Sequence, residues 1–250
     1  MQALYMLKQI PNLITSLNLL CGCIAIFFAI SGDLVTASYF VFTGIFFDFF
    51  DGLAARMLNA QSEVGLQLDS LADMVTSGVA PAVVMVQLLS QATSGVSIHV
   101  FFDQTETMGW YGTKFTFVPF IGLLIAVAAA YRLAKFNVDT RQTTSFIGLP
   151  TPANALLVLS LPLILAFQPS TLAETIILNP SFLIGITLLG CILMNAELPL
   201  FALKFKSWNL KENAVRYVFL FICLLAIVLL QFIAIPFILL VYIGMSLFWK

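Results

Sequence analysis

Charge is what this chain has least of. Of its 250 residues only 9% are Asp, Glu, Lys or Arg, whereas about a quarter of a soluble domain is charged, so a water-soluble globular fold is excluded. At 61% hydrophobic residues, the expected class is an integral membrane protein. The single histidine, His99, falls in a polar stretch and reads as a solvated loop residue. Cys21, Cys23, Cys191 and Cys223 lie within apolar runs and lack paired metal-site spacing, so they indicate neither a zinc finger nor a redox compartment. One lysine precedes the first apolar run and no small-residue cleavage site follows it, so a removable signal peptide is not expected. The formal net charge of −1 says little because it hides where each sign sits. No nucleic-acid partner is expected.

What is present is a succession of apolar runs divided by short polar turns. Residues 1–10 are too short to span and suit an interfacial helix, and Pro11 opens the next element. Runs at 12–30, 34–58, 65–92, 114–136, 152–167 and 176–195 are each read as a crossing of a hydrocarbon core about 30 Å thick. Gly78 and Pro81 predict a kink in the third, and residues 93–113 read as a loop. The last run, Tyr217 to Trp249, is too long for one crossing. It is expected to fold as a hairpin turning near Gln231 and Pro236. The expectation is an all-α membrane domain over 1–250, with about eight transmembrane helices and both termini cytoplasmic.

The lysines and arginines agree with that count. With both termini inside, Lys8, Arg56, Arg132, Lys135, Arg141, Lys204, Lys206, Lys211, Arg216 and Lys250 share the cytoplasmic face, and Lys114 falls opposite. Asp33, Asp103, Glu106 and Glu174 also fall opposite.

Against this apolar background, residues 48–73 carry Asp48, Asp51, Asp69 and Asp73. An ionised carboxylate mid-membrane costs roughly 2.5–3.5 kcal/mol, so four cost on the order of 10 kcal/mol unless neutralised. Arg56 is the cation nearby. Asp48 and Asp51 are three residues apart, and Asp69 and Asp73 four, so each pair shares a helix face. Residues 57–64 are too few for another element, and an antiparallel helical hairpin sets the pairs face to face. Hard oxygen ligands suit Mg²⁺, Mn²⁺ or Ca²⁺ rather than zinc, and two divalent ions balance four carboxylates. A divalent-cation transporter is the rival from another class, although a carrier site is expected near the midplane on interrupted helices.

The pattern is more specific than a charge cluster. Asp48, Asp51, Gly52, Ala55, Arg56, Gly65, Asp69 and Asp73 fill every fixed position of Asp-x2-Asp-Gly-x2-Ala-Arg-x8-Gly-x3-Asp-x3-Asp. In this the chain resembles the CDP-alcohol phosphatidyltransferases. The resemblance implies that an alcohol displaces CMP from a CDP-linked lipid, assisted by two divalent ions, Mg²⁺ or Mn²⁺. It implies Asp48, Asp51, Asp69 and Asp73 as metal ligands, with Asp73 also the general base. Gly52, Ala55, Arg56, Ser62 and Gly65 are implied for nucleotide and phosphates, joined by Asn12 and Thr15 at the same level of the first span. A homodimer in the cytoplasmic membrane, with its site facing the cytoplasm, is expected on the same ground.

Two further stretches, AYRLAKFNV (130–138) and FIGLPTPAN (146–154), resemble the phosphatidylserine synthase branch. They imply CDP-diacylglycerol and L-serine as substrates. Lys135 departs from the commoner arginine, keeping the charge without the bidentate fork. A zwitterionic acceptor needs a cation and polar oxygens, for which Arg132, Lys135, Asn137 and Asn154 are the candidates. Glycerol 3-phosphate or inositol phosphate remain alternative acceptors and demand additional cations.

Overall fold

A computed structural model describes residues 9–98, 117–139, 146–200 and 213–248. Residues 1–8 of the interfacial segment expected at 1–10, together with His99, Asp103, Glu106, Lys114, Arg141, Lys204, Lys206, Lys211 and Lys250, lie outside the described residues. The described chain is all-α apart from a two-residue strand pair.

Helix α1 (Ile10–Ile30) begins with Pro11 in its first turn, where the missing N–H has no intrahelical partner to lose. It ends at a tight turn in which Gly32 takes φ 89° and Asp33 caps α2 (Leu34–Met57) by accepting from Thr36 N at 3.0 Å. Ala25, Ala29, Ala37 and Val41 are fully buried, small side chains that let α1 and α2 lie close together. Helix α3 (Glu63–Ser94) follows a short turn through Asn59, and Ser62 caps it by accepting from Gly65 N at 3.0 Å. Ordinary turn and cap chemistry thus folds α2 back on α3 as the sequence predicts.

Where a kink was expected at Gly78 and Pro81, α3 runs as one 32-residue helix in which Met74–Val79 winds as a π segment, an irregularity of the kind that bends helices. The wider turn accommodates Pro81, which supplies no N–H to the helix ladder. Helix α4 (Val118–Val138) opens as a 3₁₀ turn, where Gly122 lies against the α3 backbone and a Cβ would come within 2.8 Å of Val86 N.

Strand β1 (Phe146–Ile147) pairs antiparallel with β2 (Pro199–Leu200), tying the stretch before α5 (Thr151–Phe167) to the stretch after α7 (Pro180–Asn195). Between them lies α6 (Thr171–Ile177), bent 62° from α7. The sixth crossing, expected as one run over 176–195, is therefore a broken pair. Asn179 caps α7 through Ser181 N at 2.9 Å and Pro180 opens it, so the Asn-Pro step restarts the helix.

Helices α8 (Ala214–Leu230) and α9 (Ala234–Phe248) meet at Gln231, whose φ is 48°. The Phe219 and Tyr242 rings lie 5.7 Å apart. Residues 23 positions apart on one straight helix would be separated by about 35 Å, so this run doubles back as the hairpin expected.

Among the described residues five helical stretches are long and apolar enough to cross a membrane, with Arg216–Leu247 counted as one stretch, or six counting the bent pair as one, and α5 is a shorter apolar helix. Large apolar side chains such as Phe27, Phe49 and Val228 stay exposed on the outer surface, as lipid-facing positions of an integral membrane protein do. The core, including Ala29, Val41, Met85, Leu88, Ile125 and Leu159, sits where α1–α5 meet.

Gln168 secures the last hairpin. Its amide donates to Leu230 O at 3.1 Å and accepts from Phe232 N at 3.0 Å and Ile233 N at 3.2 Å. Gln168→Ala is expected to lower stability by about 1–3 kcal/mol, read as a fall in the thermal unfolding midpoint in detergent.

Candidate active site

Three helix ends build the site. Asp48 and Asp51 project from the last turns of α2, Asp69 and Asp73 from the first turns of α3, and Asn12 and Thr15 from the start of α1. The hairpin turn between α2 and α3 brings the two aspartate pairs together as predicted. One carboxylate oxygen from each of Asp48, Asp51 and Asp69 lies within 4.8 Å of the others. Asp73 stands outside this trio but beside Asp48, and accepts from Asn18 Nδ2 at 3.3 Å. Among the described residues no lysine or arginine nitrogen comes within 4.0 Å of any of the four.

Asp51 is 5% exposed, and its Oδ2 has no hydrogen-bond partner. A buried, unpartnered carboxylate oxygen in an apolar setting is costly unless a cation meets it. Three convergent carboxylates, one of them carrying an unpartnered buried oxygen, fit a divalent metal ion of the Mg²⁺, Mn²⁺ or Ca²⁺ type. The sequence expectation of an oxygen-ligated metal centre is consistent with this geometry.

Beside the trio opens a cleft of about 500 Å³. Its lining includes Asn12, Thr15, Gly52, Ala55, Arg56, Ser62 and Gly65, all seven of the residues expected at the nucleotide and phosphates, together with Asp51 and Asp69. Nothing lies within 4 Å of where a Cβ on Gly52 would sit, so this backbone faces open space, and a ligand can approach it closely. A Cβ on Gly65 would come within 3.1 Å of Asn12 Oδ1. Gly65 therefore lets α1 and α3 converge under the cleft. Arg56 is exposed at its rim, a planar donor fork suited to phosphate oxygens. Gln61 and Glu63 also line the cleft and were not singled out from sequence.

The chain matches the family described as CDP-alcohol phosphatidyltransferase over residues 8–194. It belongs to that family. The match includes α1, α2, α3 and the turn between α2 and α3, which together carry every residue of the cleft and the aspartate set. Among curated relatives, the Bacillus subtilis (strain 168) protein named CDP-diacylglycerol–serine O-phosphatidyltransferase is 37% identical over 150 residues, covering 58% of this chain and 71% of the relative. The Helicobacter pylori (strain 26695) protein of the same name is 32% identical over 213 residues, 84% of this chain and 79% of the relative. A Saccharomyces cerevisiae protein so named is 36% identical over 134 residues, 50% of this chain and 40% of the relative.

The four candidate acceptor residues have different immediate partners. Arg132 is buried on α4 within electrostatic range of Asp73, and donates to Thr151 Oγ1 at 3.3 Å while its Nε has no partner. Lys135 pairs with Glu197 at 3.5 Å. Asn137 donates to Ser70 Oγ at 2.9 Å, which ties the end of α4 to α3 next to Asp69. Asn154 is buried on α5 against Gly190 of α7, where any Cβ would collide with its Oδ1. Its position is that of a residue packed between helices.

Asn18, Ser70, Thr76 and Thr151 all touch this region and were not assigned to the site from sequence. A periodic signal existed for Asn18: with Thr15 and Gly22 it forms a polar and small stripe on one face of α1.

Thermal unfolding titrated with Mn²⁺ checks the metal site. Mn²⁺ at 100 times its dissociation constant is expected to stabilise the protein by about 2.7 kcal/mol. Asp51→Asn is expected to lose most of that gain, yet to be no less stable than the parent without metal, because it removes a buried charge.

Proposed function

We propose that the protein transfers the phosphatidyl group of CDP-diacylglycerol to the hydroxyl of L-serine, giving phosphatidylserine and CMP. The observation that carries the reaction type is the juxtaposition of a carboxylate trio with a cleft lined by all seven of the expected nucleotide and phosphate residues. Serine as acceptor is supported by the names of the bacterial relatives and by the 130–138 and 146–154 stretches.

In this reading Asp48, Asp51 and Asp69 hold a divalent ion, with Asp73 completing a two-ion site for Mg²⁺ or Mn²⁺. Bound metal supplies positive charge that stabilises the phosphoryl oxygens and the departing CMP. Asn12, Thr15 and the Gly52 backbone seat the cytidine end, and Arg56 faces the diphosphate from the rim. Gly65 leaves the room they need. Asp73 accepts the proton of the serine hydroxyl. The hydroxyl oxygen then bonds to the lipid-side phosphorus, and the bond from that phosphorus to the bridging oxygen breaks. CMP leaves with that oxygen. Arg132, buried beside Asp73, offers the cation for the serine carboxylate. Asn137 shapes the wall through Ser70, and Lys135 attracts the substrate from a more exposed position.

The site faces the cytoplasm of a bacterial-type inner membrane in this proposal, with both termini on that side and about eight crossings. The supporting pattern is in the sequence, where eight crossings with both termini inside would set Lys8, Arg56, Arg132, Lys135 and Arg216 on one face. The diacylglycerol tails stay in the bilayer while serine arrives from water, and the protein acts as a homodimer. A divalent-cation carrier is disfavoured because the trio adjoins a cleft that the α2–α3 turn lines, whereas a carrier site is expected near the midplane on interrupted helices.

The test is transfer of labelled serine into lipid by purified protein with CDP-diacylglycerol, alongside glycerol 3-phosphate and inositol phosphate as competitors. Serine label in chloroform-soluble product with equimolar CMP is expected, and label entering only from another acceptor sinks the serine reading. Asp73→Asn is expected to cut CMP release by about 10²–10⁴-fold while Mn²⁺ still raises the unfolding midpoint.

A further inference from the structure

Asn18 lies about two turns into α1 and is fully buried, a primary amide in an otherwise apolar stretch. Its Nδ2 reaches Asp73 Oδ1 at 3.3 Å, and its own backbone carbonyl accepts from Thr76 Oγ1 at 3.0 Å. Asp73 and Thr76 are one turn apart on α3, at the point where the α-helix passes into the π segment beginning at Met74. Asn18 thus grips both ends of that transition, one through its side chain and one through its backbone.

The surrounding packing holds this contact in a single register. A Cβ on Gly22 would strike Thr76 Oγ1 and stand 2.9 Å from Thr76 Cα. One on Gly44 would stand 2.6 Å from Thr76 Cγ2 and 2.9 Å from Asn18 Oδ1. Helices α1, α2 and α3 therefore converge on Thr76 with only glycine tolerated at the two facing positions. Asn18 Oδ1, by contrast, is buried with no hydrogen-bond partner, a cost that any apolar residue of similar size would avoid. An amide kept there at a cost to packing is accounted for by what its other end does.

We propose that Asn18 is a positioning residue for Asp73. It fixes one carboxylate oxygen and so sets the rotamer in which the other takes the acceptor proton, while Thr76 locks the register of α1 against α3. The inference rests on the reading of Asp73 as the group that deprotonates the acceptor. Nothing in it requires Asn18 to touch substrate.

The experiment compares the purified full-length protein with Asn18→Leu and Asn18→Ala, following CMP release while CDP-diacylglycerol and serine are varied separately. A misplaced base slows the chemical step without weakening lipid binding, so kcat is expected to fall about 10- to 100-fold with the KM for CDP-diacylglycerol within about twofold. The unfolding midpoint of Asn18→Leu in Mn²⁺ is expected to match the parent, and Mn²⁺ is expected to raise it as before. Adding Asn18→Ala to Asp73→Glu, in which the carboxylate is already displaced, is expected to cost much less than it does alone. A parental kcat in both single variants overturns the inference, as does a kcat loss that tracks a lowered unfolding midpoint or is fully additive with Asp73→Glu. If the parent itself releases no CMP, the proposed function fails instead, so the two failures are distinct.

Discussion

Carboxylates clustered on apolar helices need positive charge, and the described residues supply almost none within reach. No lysine or arginine nitrogen among the described residues comes within 4.0 Å of Asp48, Asp51, Asp69 or Asp73. The rest of the arrangement follows from that deficit. The α2–α3 hairpin gathers oxygens into a trio, a partnerless Asp51 oxygen remains inside it, and the adjoining cleft is open to a charged ligand. An apolar bundle on its own would have no reason to keep such a cluster. A metal and a diphosphate substrate together give it one.

The scaffold holds this site by close backbone approach rather than by bulky packing. Ala25, Ala29 and Ala37 let α1 and α2 meet, and Gly22 and Gly44 admit Thr76 between them. Inside lipid, burying apolar surface gives little drive for helices to associate, so small-residue contact and interhelical hydrogen bonds carry more of the cohesion. Asn18 to Asp73, Asn137 to Ser70 and Gln168 to the α8–α9 turn are bonds of this kind. Two of the three end at or next to the aspartate set. Cohesion and catalytic geometry are therefore borne partly by the same residues.

The residues proposed for the reaction and for the acceptor are also divided along the chain. Helices α1–α3 carry the trio and the cleft, whereas Arg132, Lys135, Thr151 and the β1–β2 pair belong to α4 and the segments after it. Such a division allows one transfer chemistry to be combined with different acceptors by changing only the second set. It also accounts for the uneven result for the site residues. Six of the eight residues read from a fixed spacing line one cleft, and Asp48 and Asp73 do not. Of the residues read from the 130–138 and 146–154 stretches, Lys135 is in an ion pair and Asn154 lies between helices.

Much of the fold was legible because an apolar run of spanning length admits few structures. The hairpin at Gln231 and the caps at Asp33 and Ser62 follow from length and turn chemistry. The π segment before Pro81 and the break at Asn179 were not foreseen, since local composition does not say whether a helix absorbs a proline or restarts at one. By itself the sequence determined the membrane class, the aspartate spacing and the face that each pair shares, all consequences of short-range periodicity. Only the tertiary structure decided that Asp73 stands apart from the metal trio in the grip of Asn18, 55 residues away. A contact across that separation depends on how closely three helices approach, and glycines at 22 and 44 set that distance without revealing their partner in the sequence.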